Sequence, residues 1–318
     1  MPSVDRTAAA HVTGAVLGYA LDLAVGDPRR AHPVAAFGRA AGALERALYQ
    51  DRRAAGVAHT ALCAGGTVAA AALLTRVLPR PVPRTALTAA AVWAVVGGAS
   101  LCAEAKAIGE ALERGDVDGA RERLPHLCGR DPQALDADGI ARAVVESVAE
   151  NTSDAVVGAL VWGALGGVPG LAGFRAVNTL DAMVGHRSPR YAKFGWAAAR
   201  LDDVAGWPGA RLTALLAVAG GGDPRGAARA WRADAGRHPS PNAGPVEASF
   251  AGALGVRLGG TLSYGGRTEH RPALNSGGRP VRSGDIARAV RLSRRVGALA
   301  LAVTAAGHLA ARRRKGRV

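Results

Sequence analysis

The chain has 318 residues, of which 49% are hydrophobic, 20% charged and 4% aromatic, with 43 glycines. That is too apolar for a disordered polymer, and it lacks the Gly-X-Y period of collagen. The net charge of +15 comes almost wholly from arginine, because only Lys106, Lys193 and Lys315 are lysines. None of them stands in a G-x-x-x-x-G-K-[ST] frame, which excludes a P-loop. Cys63, Cys102 and Cys128 form no C-x-x-C pair and are too few for a disulfide framework.

From the N-terminus, Met1 to Arg6 lacks the basic stretch and small-residue cleavage site of a secretory signal, so the apolar segments that follow are expected to be retained. Uncharged runs cover residues 7–21, 54–75, 85–103, 155–174 and 296–311. A helix needs about 20 apolar residues to cross a bilayer. The 54–75 and 85–103 runs meet that length, whereas 7–21 and 296–311 are marginal. Buried Ala-rich helices of a soluble protein would give similar runs, but their recurrence at so low a charge fraction favours a membrane. The expected fold is all-α: a polytopic integral membrane helical protein, one embedded domain spanning 1–318, with a cytoplasm-facing helical and loop region. Within 155–174, AVVGALVWGAL is followed by GGVPG. Gly166, Gly167, Pro169 and Gly170 break a helix there, so a helical hairpin or re-entrant segment is predicted.

Polar regions occupy 22–53, 104–154, 175–203 and 223–295. Residues 22–58 carry six arginines and 104–154 carry five plus Lys106, against three in 76–84. The more basic regions belong in the cytoplasm, so the 59–75/85–103 hairpin turns outside. Asp136 can cap a helix starting at Ala137, with Ile140, Val144, Val145 and Val148 as its apolar stripe. Residues 259–284 read as an extended loop or short hairpin, and no alternation is long enough for a large sheet.

The densest polar cluster is ESVAENTSD, holding Glu146, Glu150, Asn151 and Asp154. Positions i, i+4 and i+8 share a helix face, so the three carboxylates would project together and need a compensating partner. Arg142, Arg175 or Arg200 could supply it; the run into an uncharged segment argues equally for a functional role. Asn178 and Asp181 lie one turn apart, and Asp202 and Asp203 close the same region. Carboxylates of this kind suit Mg²⁺ together with substrate phosphate, and Arg190, Lys193 and Arg200 suit phosphate itself. An ordinary loop with scattered ion pairs fits the same spacing. Two turns resemble anion sites: Asp22 and Asp27 beside Arg29, Arg30 and His32, and His238, Ser240 and Asn242 ahead of a helix that holds Glu247. HExxH, GxSxG and GxGxxG are absent.

The strings LDLAVGDPRRAHP, ESVAENTSDAVV, NTLDAMVG, RYAKFGWAAARLDD and HPSPNAGPVEASFAGALGVRLGG, in this order, resemble the CobD/CbiB family of cobalamin biosynthesis proteins. The likeness covers about 17–48 and 131–264. Ala159 stands where that family usually has proline, and the match loosens beyond Tyr264.

The resemblance implies a multi-pass cell-membrane enzyme, adenosylcobinamide-phosphate synthase, with a cytoplasmic active face. It implies amidation of the free propionate of (adenosyl)cobyric acid by (R)-1-aminopropan-2-ol O-2-phosphate, or by aminopropanol, at the expense of ATP. ATP and Mg²⁺ are expected as co-substrate and ion, with no tightly bound prosthetic group. The expected partners are the corrinoid, the amine, the bilayer and other membrane-associated corrinoid enzymes. On this reading Glu150, Asp154 and Asp181 hold Mg²⁺, while Asn151 and Asn178 orient. Arg190, Lys193 and Arg200 neutralise phosphates, as do His238, Ser240 and Asn242 at their turn, and Glu146 or Asp202 is the base. His32 and His238 are read as surface residues, not cobalt ligands.

A transporter or channel without ligase activity is the alternative, but it would need polar residues deep in several spans, and the runs are almost wholly Ala, Val, Leu and Gly. A nucleic-acid binder would account for the charge. The arginines, however, are dispersed and no basic–aromatic stretch accompanies them.

Overall fold

Alanine-rich, weakly charged sequence favours helix at nearly every position, and the chain is helical apart from one hairpin among the described residues. The computed structural model describes residues 2–28, 32–186, 188–264 and 267–315. Arg29 and Arg30 of the first anion-like turn lie outside them. Four helical stretches are long and apolar enough to cross a membrane: Arg6–Val25, Arg53–Val77, Pro81–Glu113 and Ala137–Gly185. The chain is thus an all-α polytopic membrane protein, as expected. The 296–311 run is not one of the four. It lies in the helix Ser283–Lys315, where Arg295 and Arg312 flank only sixteen uncharged residues.

By packing, the chain divides into two compact units. Unit 1 comprises Met1–Gly97, Gly158–Gly209 and Leu301–Val318. Its helices are α1 (Pro2–Val25), α2 (Pro33–Leu48), α3 (Arg53–Val77) and α4 (Pro81–Val95), with α8, α9, the start of α10 and the end of α13 described below. Helix α1 lies directly on α4. Gly14 and Gly18, four apart on one face, have no side chain to hold off Thr85, Thr88 and Ala89 of α4. This is the small-xxx-small device that membrane helices use in place of hydrophobic driving force. Thr85 Oγ1 donates to Ala10 O at 3.2 Å, and Trp93 Nε1 to Gly26 O at 2.8 Å.

Unit 2 comprises Gly98–Val157 and Ala210–Ala300. It holds α5 (Gly98–Glu113), α6 (Val117–Arg123) and α7 (Ala137–Asn151). Asp136 caps α7 by accepting from Gly139 N at 2.8 Å, and Ile140, Val144, Val145 and Val148 are all fully buried. Cap and stripe are those read from the sequence. Helix α7 passes into a π-helical turn, Thr152–Val157, and then into α8 (Gly158–Leu180) of unit 1.

Helix α8 bends back on itself at Gly167, whose φ of 65° and ψ of −152° are non-helical. Leu171 packs on Gly163, and Gly170 sits against the Trp162 carbonyl. Residues eight apart meet only if the helix has folded over, since a straight helix would set them about 12 Å apart. The predicted hairpin is therefore present. A second π-helical turn, Asp181–Gly185, leads to α9 (Tyr191–Phe194) and α10 (Trp196–Gly220).

The remaining elements of unit 2 are α11 (Pro224–Asp234), α12 (Ala243–Leu254), the strands β1 (Leu258–Tyr264) and β2 (Arg267–Leu274), and the start of α13 (Ser283–Lys315). The strands pair antiparallel, with Leu258 opposite Leu274 and Gly260 opposite Arg271 across a bulge. This is the short hairpin anticipated within 259–284.

At Gly167 the positive φ penalises any side chain by about 1–2 kcal/mol. Gly167→Val is expected to lower the thermal unfolding midpoint in detergent. Gly166→Ala, at a helical position with open space around it, is expected to leave it unchanged or raise it.

Candidate functional site

Unit 2 contains a polar cavity of about 220 Å³. Three separate parts of the chain build it: the 127–130 loop with α7, helix α12, and strand β2. Helix α7 contributes Glu146, Ser147, Glu150 and Asn151; α12 contributes Glu247; the loop and β2 contribute Arg130 and Arg271.

Glu146 is only 3% exposed. It accepts from Arg130 Nη2, which is itself buried, and from Gly259 N at 2.7 Å. Gly259 lies in the β-bulge with φ of 78°, a conformation open to glycine that turns its amide toward the carboxylate. Glu146 is thus held in place on the cavity wall by these two donors. Ser147 donates to Leu127 O at 2.9 Å, and Asn151 Nδ2 donates to Ser147 O at 2.9 Å. The hydroxyl is held to the loop and the amide to its own helix one turn back, while Glu150 is exposed at the rim.

Glu247 is buried, with His238 Nε2 at 3.7 Å from Oε1. Burial, and then the neighbouring Glu146 and Glu150, push its carboxyl well above the usual range, against the opposing pull of Arg271 and Arg130. His238 Nδ1 accepts from Ser240 N at 3.1 Å. That bond leaves the Nε2 edge toward Glu247. His238 is 9% exposed and so is not the surface residue expected; α12 covers it. His32 instead caps α2, its Nδ1 accepting from Val34 N at 3.2 Å. Ser240 Oγ accepts from Ala243 N at 3.1 Å at the start of α12, and Asn242 Oδ1 accepts from Arg211 at 3.1 Å. This turn caps a helix and spends its polar groups internally.

Of the other expected residues, Asn178, Asp181, Arg190, Lys193, Arg200 and Asp202 lie in unit 1. Arg190 pairs with Glu45 at 3.0 Å and stacks on Tyr49, whose ring centroid is 4.1 Å away. Lys193 pairs with Asp51 at 2.8 Å and Arg200 with Asp203 at 3.3 Å. Each of the three cations read as phosphate ligands already has a carboxylate. Asn178 Nδ2 reaches Asp202 Oδ1 at 3.4 Å, and Asp181 is half-buried in the π-helical turn.

The expected metal set is not preassembled. Among the described residues no three His, Cys, Asp or Glu side chains are arranged to hold an ion. Asp154 sits in the π-helical turn, whose i→i+5 winding departs from the i, i+4 spacing that relates Glu146 to Glu150.

Arg130, Arg271 and Gly259 were not picked out by motif spacing, and Glu247 was noted only as part of its helix. The signal available for Glu247 was its position among AGPV and ASFAGAL, an acidic residue in an otherwise uncharged helix.

A family model described as CobD/Cbib protein matches residues 15–293. The chain belongs to that family. Relatives called "Cobalamin biosynthesis protein CobD" resemble it over most of their length. The Mycobacterium tuberculosis H37Rv protein is 54% identical over 299 residues, covering 92% of this chain and 95% of the relative. That of Chromobacterium violaceum is 44% identical, covering 86% and 89%, and that of Rhodobacter capsulatus 40%, covering 88% and 92%. No solved structure matches. This CobD/CbiB family member has a role in cobalamin biosynthesis.

Removing one member of a buried ion pair costs about 3–5 kcal/mol, because the other charge is stranded. Arg130→Met is therefore expected to destabilise the protein strongly in denaturation assays, and the double change Arg130→Met/Glu146→Leu to destabilise it less. A second measurement concerns Asp285 on α13. Burial would raise its carboxyl, but bonds from Arg279, the Arg282 amide and Arg288 hold it down at about 2. A depressed carboxylate stabilises above its unfolded value and loses that contribution as pH falls from about 4 toward 2. The stability gap between the native protein and Asp285→Asn should close over that window.

Proposed function

We propose that the chain is an acid–amine ligase. It joins the free propionate of (adenosyl)cobyric acid to the amine of (R)-1-aminopropan-2-ol O-2-phosphate, giving adenosylcobinamide phosphate. Family membership supports the pathway. The observation that carries the chemistry is the unit 2 cavity, where Glu146, Glu150 and Glu247 face Arg130 and Arg271.

ATP is the proposed energy source. A propionate oxygen attacks the γ-phosphorus and ADP departs, leaving an acyl phosphate. The amine nitrogen then bonds to the acyl carbon, inorganic phosphate leaves, and the nitrogen surrenders protons to base. Arg271, on the cavity wall, neutralises an incoming phosphate or carboxylate. Glu150 at the rim attracts the ammonium, and Asn151 and Ser147 orient it. Glu247 takes the proton: a carboxyl raised toward working pH is a better match for an ammonium than an ordinary carboxylate. Glu146, locked between Arg130 and Gly259, positions the wall. Asp154 and Asp202 are left without a chemical role.

Magnesium is proposed to enter with the nucleotide as its counter-ion. For Arg190, Lys193 or Arg200 to bind a nucleotide phosphate, each would exchange a carboxylate partner for it. The active face is taken to be cytoplasmic, on the strength of the arginine-rich 22–58 and 104–154 regions.

Membranes carrying the protein, incubated with cobyric acid, ATP, Mg²⁺ and each amine in turn, should yield on mass spectrometry a product heavier by the aminopropyl phosphate unit from the phosphorylated amine, or by the aminopropanol unit from the free one. Absence of that product with either amine would favour the transport reading. Glu247→Gln is expected to slow amide formation about 10²–10⁴-fold. The native rate should climb with pH as Glu247 loses its proton, a limb that the variant lacks. Native turnover in both Glu247→Gln and Arg271→Gln would remove this cavity from the reaction.

A further inference from the structure

A second cavity, of about 310 Å³, opens in unit 1 where α3 turns into α4. Its lining includes His11, Arg76, Arg84, His308 and Arg312, and the Gly166–Pro169 turn of α8 forms one wall. No acidic side chain lines it. Arg76, Arg84 and Arg312 make no ion pair among the described residues. Elsewhere in unit 1, Arg190, Lys193 and Arg200 each sit against a carboxylate. Three guanidiniums around one concavity repel each other unless an anion joins them.

The cavity's depth narrows the choice of anion. Arg76 is in the last turn of α3 and Arg84 in the first turn of α4, while His11 lies in the early turns of α1. Arg76 and Arg84 mark the ends of candidate membrane spans, the level at which lipid phosphates lie. The stacked rings of His11 and His308, 4.5 Å apart, floor the cavity. Beyond them an apolar pocket offers only about 20 Å³, too little for an acyl chain. Tails would stay outside, where Leu73, Val77, Val82 and Leu165 are 61–80% exposed.

We propose that this vestibule binds the phosphate of an anionic membrane lipid. Guanidinium–phosphate pairs are the strong, charge-assisted class of hydrogen bond. The two cavities share no lining residue, and the test of this one is independent of the ligation assignment.

The full chain, purified in detergent, is mixed with equal phosphatidylglycerol and phosphatidylcholine, and retained lipid is counted by native mass spectrometry. The native protein should retain phosphatidylglycerol about tenfold over phosphatidylcholine. Arg76→Gln/Arg84→Gln/Arg312→Gln should retain both equally, while the triple Lys variant keeps most of the preference. Where the triple Gln variant fails to fold, Arg312→Gln alone, at an exposed helix end, should lower the preference severalfold. In a parallel arm, inorganic phosphate is titrated into lipid-free protein against chloride as control. Equal lipid retention by the native protein, or a preference untouched by the Gln variants, overturns the proposal. A phosphate response without lipid preference overturns it as well, because the source is then soluble.

Discussion

A carboxylate removed from water must be paired or it neutralises itself, and in unit 2 that requirement is met at Glu146. Its partners come from two places remote in sequence: Arg130, sixteen residues earlier, and the Gly259 amide, 113 residues later. Satisfying this one group ties helix α7 to the preceding loop and to the bulged hairpin. The same ties set Arg271 and Glu247 around a common space. Charge density then does the rest. Burial first, and then the neighbouring Glu146 and Glu150, raise the Glu247 carboxyl above the usual range.

Unit 1 solves a different problem. Its helices carry few polar groups, so they approach through glycines, as α1 does on α4, and through a glycine turn that folds α8 back. Its cations gather near helix ends. At Glu45, Asp51 and Asp203 they meet carboxylates, whereas Arg76, Arg84 and Arg312 line one cavity and make no ion pair among the described residues. The chain's excess of arginine over acidic residues makes some such imbalance unavoidable.

Much of the local structure was legible in advance. The Asp136 cap and the Ile140–Val148 stripe, the break at Gly167 and the 259–284 hairpin each depend on residues close in sequence, whose propensities act at short range. Of the acidic row, Glu146 and Glu150 line one cavity, while Asp154 falls in a π-helical turn, which leaves no compositional trace. The paired states of Arg190 and Lys193 were equally hidden. Glu45 and Asp51 lie more than 140 residues away, and spacing says nothing about such contacts.

The residue string by itself determined that the chain is helical, apolar over membrane-length runs and a member of its family, since these follow from periodicity, charge gaps and ordered short strings. Only tertiary structure decided which ionisable groups share a cavity and which neutralise each other. Pairing energies depend on distance and burial, and both arise from how segments far apart along the chain pack together.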